Sequence, residues 1–280
     1  MARVLAALMA VSLIFPLPAF PQGVPVGSRP IVVQGAMPSE TEKLVSRLDN
    51  ARLEQVGEWK FWRGTLDGYP VIVSRTLKGV ANAAAATAIA IERFHPIAII
   101  NQGTAGGLDT TLHLYDIVLG SSSVSLGAFK TPNKPAGAGS NSLEWKPMNL
   151  MASEASAGND PIRRTVARFQ ADSLLLAMAR HMAPRYTRGH VVDGVIGTSD
   201  MWNDEIDRIA RMHTEFGASV EEMETASAAQ VASLFGVPFL GIRVVSDNTT
   251  THEAYEPRTG EACEEFVYLV VRAYFTTPVR

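Results

Sequence analysis

Short, nearly unbroken apolar runs alternate along this chain with longer stretches in which apolar residues recur every three to four positions. Residues 31–33, 97–100, 116–124, 191–196 and 239–245 are of the first kind, and such runs fit strands buried on both faces. Residues 80–94, 162–182, 205–216, 226–235 and 261–274 are of the second kind and predict helices. Pro38 suits the first turn of a further helix running through Glu40 to residue 48. Stretches 59–66 and 69–77 flank Asp67-Gly68, a hairpin turn signal. His95-Pro96 and Gly236 are stop signals at two helix ends,. Strands alternating with helices predict one α/β domain over residues 31–280 with a mostly parallel sheet. Residues 127–160 break the pattern. They are rich in Gly, Pro, Ser, Asn and Ala, and read as an irregular insert rather than a linker.

In such sheets ligands sit at the carboxyl ends of strands. Three strand ends carry suitable chemistry. The first is Asn101-Gln102-Gly103-Thr104-Ala105-Gly106-Gly107, read as a loop in which glycines let backbone N–H groups face a ligand and Thr104 adds a hydroxyl. A plain tight turn explains it equally well, and it lacks the Gly-Lys-Ser/Thr ending of a phosphate loop. The second is Gly197-Thr198-Ser199-Asp200-Met201-Trp202-Asn203, where Trp202 is either partial core or a stacking surface. The third is Arg243, Ser246 and Asp247, at the carboxyl end of the nearly all-apolar run 239–245. Glu224 stands at the entry of the preceding helix. Glu40 reads on its own as an acid favouring a helix start.

Composition narrows the class. Hydrophobic residues make up 46% and charged residues 19%, an ordinary globular balance. The 25 basic and 28 acidic residues give a net charge of −3, so nothing favours nucleic acid as a partner. The single cysteine, Cys263, excludes an intrachain disulfide and reads as a small core residue. No histidine spacing suits a metal, and none is expected. At the start, Met1-Ala2-Arg3 precedes an apolar run over residues 4–15 and a cleavage point after Ala19. This order predicts an export signal over residues 1–19 and a periplasmic or secreted mature protein. The run is short for a membrane span, so no stable insertion is expected after its removal. The plainer alternative is an apolar start of a cytosolic chain.

Four pieces occur in order: Gly35-Ala36-Met37 with Glu40, the stretch 101–107, Val220-Glu221-Glu222-Met223-Glu224, and Arg243-Val244-Val245-Ser246-Asp247. Together they resemble the purine nucleoside phosphorylase superfamily, and most of all its hydrolase branch, the 5′-methylthioadenosine/S-adenosylhomocysteine nucleosidases. The resemblance implies a three-layer α/β/α fold around a mixed, partly barrel-like sheet. It implies hydrolysis of a purine N-glycosidic bond with no cofactor, and a homodimer. It assigns Asp247 as the acid that protonates the leaving base, with Ser246 orienting it. Glu224 would bind the ribose hydroxyls, with Met223 under the sugar. Glu40 would hold and activate the attacking water, positioned with Thr104 and Arg243, and Gly106 and Trp202 would belong to the substrate pocket. Thr104 stands where the family usually has serine, and Trp202 where it has phenylalanine. Two alternatives remain at this point: a phosphate-dependent phosphorylase, and a nucleoside-binding protein without turnover.

Overall fold

The computed structural model describes residues 29–151 and 165–276. The expected export signal, residues 152–160 of the insert and the first residues of the helix expected at 162 lie outside them.

The first strand, β1 (Ile31–Gly35), leads through a single 3-10 turn (Pro38–Glu40) into a short helix, α1 (Glu42–Ser46). A three-stranded meander follows: β2 (Asp49–Val56), β3 (Trp59–Leu66) and β4 (Tyr69–Arg75). Next come α2 (Val80–Phe94), β5 (Ala98–Gly107) and β6 (Ile117–Ser125). Two short antiparallel pairs follow, β7 (Phe129–Lys130) with β8 (Lys146–Pro147) inside the insert, and β9 (Leu150–Met151) with β10 (Thr165–Val166), which lies beyond it. Then follow β11 (Phe169–Gln170), α3 (Ser173–Met182), β12 (Val191–Thr198), α4 (Ile206–Phe216), β13 (Ala218–Glu222), α5 (Thr225–Leu234), β14 (Phe239–Asp247) and α6 (Thr259–Thr276).

Ten strands form one mixed sheet. β14 pairs with both β5 and β6, β6 with β12, β12 with β13, and β13 with β5. These five strands close into a ring. Four more run outward from β5 as an open arm, β5-β1-β4-β3-β2, and β11 pairs with the free side of β6. The alternating faces of β1 explain why Ile31, Val32 and Val33 are all apolar. Ile31 and Val33 pack in a core with α3, α6 and Leu44 of α1, while Val32 packs with α2 and α5 on the opposite side. The result is three layers, helix–sheet–helix. Alanines let α2 and α5 approach closely: Ala83, Ala86 and Ala90 on one, Ala226, Ala229 and Ala232 on the other, are all buried. His95, in the left-handed conformation, ends α2 and donates its N–H to the Ile91 carbonyl,.

Four expectations need correction. The glycine-rich stretch 101–107 is not a loop but the second half of β5, paired with β14 on one side and β13 on the other. Its glycines serve close approach by side chains from neighbouring elements rather than a turn. The helix expected from residue 162 begins only at Ser173, because Asp172 accepts from the N–H groups of Leu174 and Leu175 and caps it there,. Phe169 and Gln170 extend instead along β6. The helix expected through residue 48 is divided at Thr41, whose φ of −136° is not helical. β2 was not expected at all. It is an outer strand with mostly exposed residues and so carries no alternating hydrophobic signal.

Candidate functional site

The carboxyl ends of β1, β5, β13 and β14 converge on a cleft of about 340 Å3 lined by residues of all four motifs. Glu40, Thr104, Gly106, Trp202, Met223, Glu224, Ser246 and Asp247 all face it. Arg243 does not line it.

Glu40 is buried and held from four directions. Its Oε2 accepts the N–H groups of Ala36 (2.8 Å) and Met37 (3.1 Å), and its Oε1 accepts the Thr104 N–H (2.8 Å) and hydroxyl (2.9 Å). The Gly-Ala-Met turn after β1 thus exists to present backbone donors to this acid. A Cβ on Gly103 would lie 2.5 Å from Glu40 Oε1, so the carboxylate seats against β5 only because residue 103 has no side chain.

Asp247 is the opposite case. Its Oδ1 accepts one hydrogen bond, from the Ser246 hydroxyl at 2.8 Å, and burial raises its pKa above that of an ordinary aspartate while that bond opposes the rise,. Gly106 forms the floor beside it: a Cβ there would stand 3.1 Å from Asp247 Oδ2.

Glu224 occupies the entry of α5 and accepts the Gly79 N–H at 2.9 Å. Burial, reinforced by the Glu222 carboxylate, pushes its pKa up, and Arg243 partly offsets this. Asp200 accepts the neighbouring Val80 N–H at 2.9 Å. The start of α2 is therefore tied to the cleft by two carboxylates, an arrangement its partial positive charge favours.

The resemblance placed Arg243 with the water held by Glu40. In the structure its guanidinium lies behind the cleft lining and donates to Glu222 Oε2 through Nε (3.1 Å) and Nη2, and Nη2 also donates to Asn101 Oδ1 (2.6 Å). It lies 3.9 Å from Glu224 Oε2 and is fully buried. A guanidinium in a dry interior is retained by a paired carboxylate, and Glu222 is that partner. Glu222 also accepts from the N–H groups of Glu224 (3.0 Å) and Thr225 (2.9 Å). The pair thus braces the segment that carries Met223 and Glu224.

Trp202 is 65% exposed and meets Tyr255 edge-on, with centroids 5.8 Å apart, at the cleft mouth. It is rim, not core. Cys263 is buried away from the cleft, and burial pushes its thiol up to about 12. Sequence reasoning missed the roles of Gly79, Glu222, Asp200 and Tyr255. The available signal for Glu222 was an arginine inside an apolar strand, which demands a buried acid.

Residues 30–275 match the family model of the phosphorylase superfamily. The chain belongs to that superfamily. A 5′-methylthioadenosine/S-adenosylhomocysteine nucleosidase of Bacillus cytotoxicus is 31% identical over 218 residues, covering 78% of this chain and 85% of the relative. Two solved structures of such nucleosidases superpose on it. That of Neisseria meningitidis, in complex with methylthio-immucillin-A, has a TM-score of 0.69 at 25% identity, over 87% of this chain and 99% of the other. That of Colwellia psychrerythraea, in complex with adenine, has a TM-score of 0.68 at 26% identity, over 88% and 96%. The chain is accordingly an N-glycosyl hydrolase of the nucleosidase type, with the ring-and-arm sheet of that fold.

Proposed function

We propose that this member of the superfamily is an exported nucleosidase that hydrolyses 5′-methylthioadenosine/S-adenosylhomocysteine-like nucleosides and releases adenine. The observation that carries this reading is the pair of unlike acids in one cleft: Glu40 with four donors, Asp247 with one. Breaking an N-glycosidic bond builds positive charge on the sugar and negative charge on the departing base. Asp247, whose pKa burial raises, hands its proton to the base,. Glu224 accepts hydrogen bonds from the ribose hydroxyls, which favours its ionised form, so sugar binding releases the proton that burial retains there. Met223 packs under the sugar.

Glu40 holds the attacking water. Its four acceptor positions are filled, so the water takes the place of the Thr104 hydroxyl, which can rotate away without moving backbone. A carboxylate at this position repels phosphate, which favours water as the nucleophile over phosphorolysis. The export reading rests on the order of charged, apolar and small residues before Ala19,. A homodimer belongs to the same proposal, supported by exposed Met201, Trp202 and Ile206 near the cleft mouth.

The test is release of free base from methylthioadenosine, S-adenosylhomocysteine and adenosine, with and without phosphate. Release without phosphate is expected. Release only with phosphate would make the protein a phosphorylase, and tight binding without release a binding protein. Cell fractionation with N-terminal sequencing checks export, and a start other than residue 20 in an exported fraction would overturn the cleavage point. Light scattering checks the dimer; a monomer at working concentration would refute it.

A further inference from the structure

A further buried carboxylate, Glu221, lines the cleft, and the hydrolysis mechanism gives it no task. In the sheet, Gly106 of β5 is the register partner of both Glu221 on β13 and Asp247 on β14. Register partners point to the same face, so Glu221, Gly106 and Asp247 form one row. Two carboxylates, with no side chain between them, bound a slot two strand spacings wide, roughly 10 Å. A planar bicyclic base lying over Gly106 presents its imidazole edge to Asp247, the acid assigned to the leaving base, and its six-membered edge to Glu221.

Glu221 is built as a binding group. It is 93% buried, at 7% exposure, and lines the cleft. The Ser199 hydroxyl donates to its Oε1 (2.5 Å) and the Asn203 amide to its Oε2 (2.9 Å). The buried guanidinium of Arg208 lies 3.5 Å from Oε1, and its Nε and Nη2 have no hydrogen-bond partner among the described residues. That cation compensates the charge of Glu221 without saturating it. Two donors occupy two of a carboxylate's roughly four acceptor positions,, which leaves room for a donor arriving from the cleft.

We propose that Glu221 reads the six-membered edge of the base and extends the substrate range to 6-oxopurine nucleosides. This rests on the nucleosidase reading of the cleft. An ionised carboxylate only accepts. Hypoxanthine and guanine present N1–H to it, and guanine adds the 2-amino group. Adenine presents a lone pair at N1 and only its exocyclic amine as donor, so it is held less well at this edge.

Base release and binding are measured with wild-type protein and Glu221→Gln on inosine, guanosine, 1-methylinosine and adenosine, which share one sugar. The wild type turns over inosine and guanosine, and discriminates against 1-methylinosine by at least about tenfold in kcat/KM, the usual cost of leaving a buried acceptor unmatched. Glu221→Gln, which can donate to N1 of adenine, lowers the inosine-to-adenosine ratio by a similar factor, with an unchanged cooperative melting transition as evidence of folding. Equal use of inosine and 1-methylinosine by the wild type, or an unchanged ratio in the variant, overturns the proposal. If no nucleoside is hydrolysed, calorimetry with free hypoxanthine and 1-methylhypoxanthine separates the two readings. Discrimination between the bases keeps the role of Glu221 while the nucleosidase reading falls, and equal affinity removes Glu221 as the reader.

Discussion

Glu40 and Asp247 line the same cleft, the first buried and the second partly buried, both against a glycine of β5, yet their surroundings differ in one countable respect. Glu40 receives four hydrogen bonds from backbone and hydroxyl donors, whereas Asp247 receives one. Donors stabilise the charged form of a carboxyl, and burial without donors stabilises the neutral form. Gly103 and Gly106 of one strand thus seat two acids in unlike surroundings. On the proposed reading, what separates the proton donor from the water-holding acid is how many N–H and O–H groups the neighbouring elements supply, not the type of acid.

The contrast can be broken at either end. Asp247→Asn removes the transferable proton while keeping shape and the bond to Ser246, so turnover is expected to fall by about 10²–10⁴-fold. Its melting temperature should be unchanged or higher, because the buried acid is relieved. Near-normal turnover would refute the proton-donor role. Gly103→Ala drives a methyl group into the Glu40 carboxylate and moves it off its donors; about a hundredfold loss in kcat/KM is expected, the usual effect of an ångström of misplacement. Retained activity would show that Glu40 need not seat against β5.

A pH profile sharpens the Asp247 end. The acid is active while protonated, so kcat/KM should fall as pH rises through its elevated pKa. The Ser246 bond lowers that pKa, so Ser246→Ala should move this alkaline limb to higher pH. A shift to lower pH would contradict the assignment.

The smallest effect lies outside the cleft. Glu264 of α6 accepts the Leu44 N–H at 2.7 Å, leaves its other oxygen without a partner among the described residues, and has its pKa raised by burial to about 7. The folded state holds this proton where the unfolded chain has lost it, so this group's contribution to stability declines from about pH 4.5 to about pH 7 and then levels off,. Glu264→Gln should therefore gain of order 1 kcal/mol relative to wild type above that window and nothing below it. Denaturant unfolding at both ends of the range measures this, and a pH-independent difference would count against it.

Most of the strand–helix alternation was legible, because β1, β5, β12 and β14 are apolar on both faces and α2 ends at His95-Pro96. What stayed hidden had weak periodic signals. β2 is exposed on an outer edge, and β5 continues through glycines that local propensity assigns to a turn, since only its partners β13 and β14 make it a strand. The acids of the cleft could be picked out by position after apolar runs and by resemblance. Their environments could not. That Arg243 would choose Glu222 over Glu40, and that Gly103 and Gly106 would serve two different carboxylates, depends on the register between strands distant in sequence.

Cys263, buried in the core under α6, is the chain's one thiol. With its ionisation suppressed and its sulfur enclosed, it cannot meet a thiol reagent while the helix is seated. Each labelled molecule therefore records one excursion in which α6 left the sheet. The labelling rate becomes a native-state clock for opening of the layer behind the cleft, readable without denaturant and without any added probe.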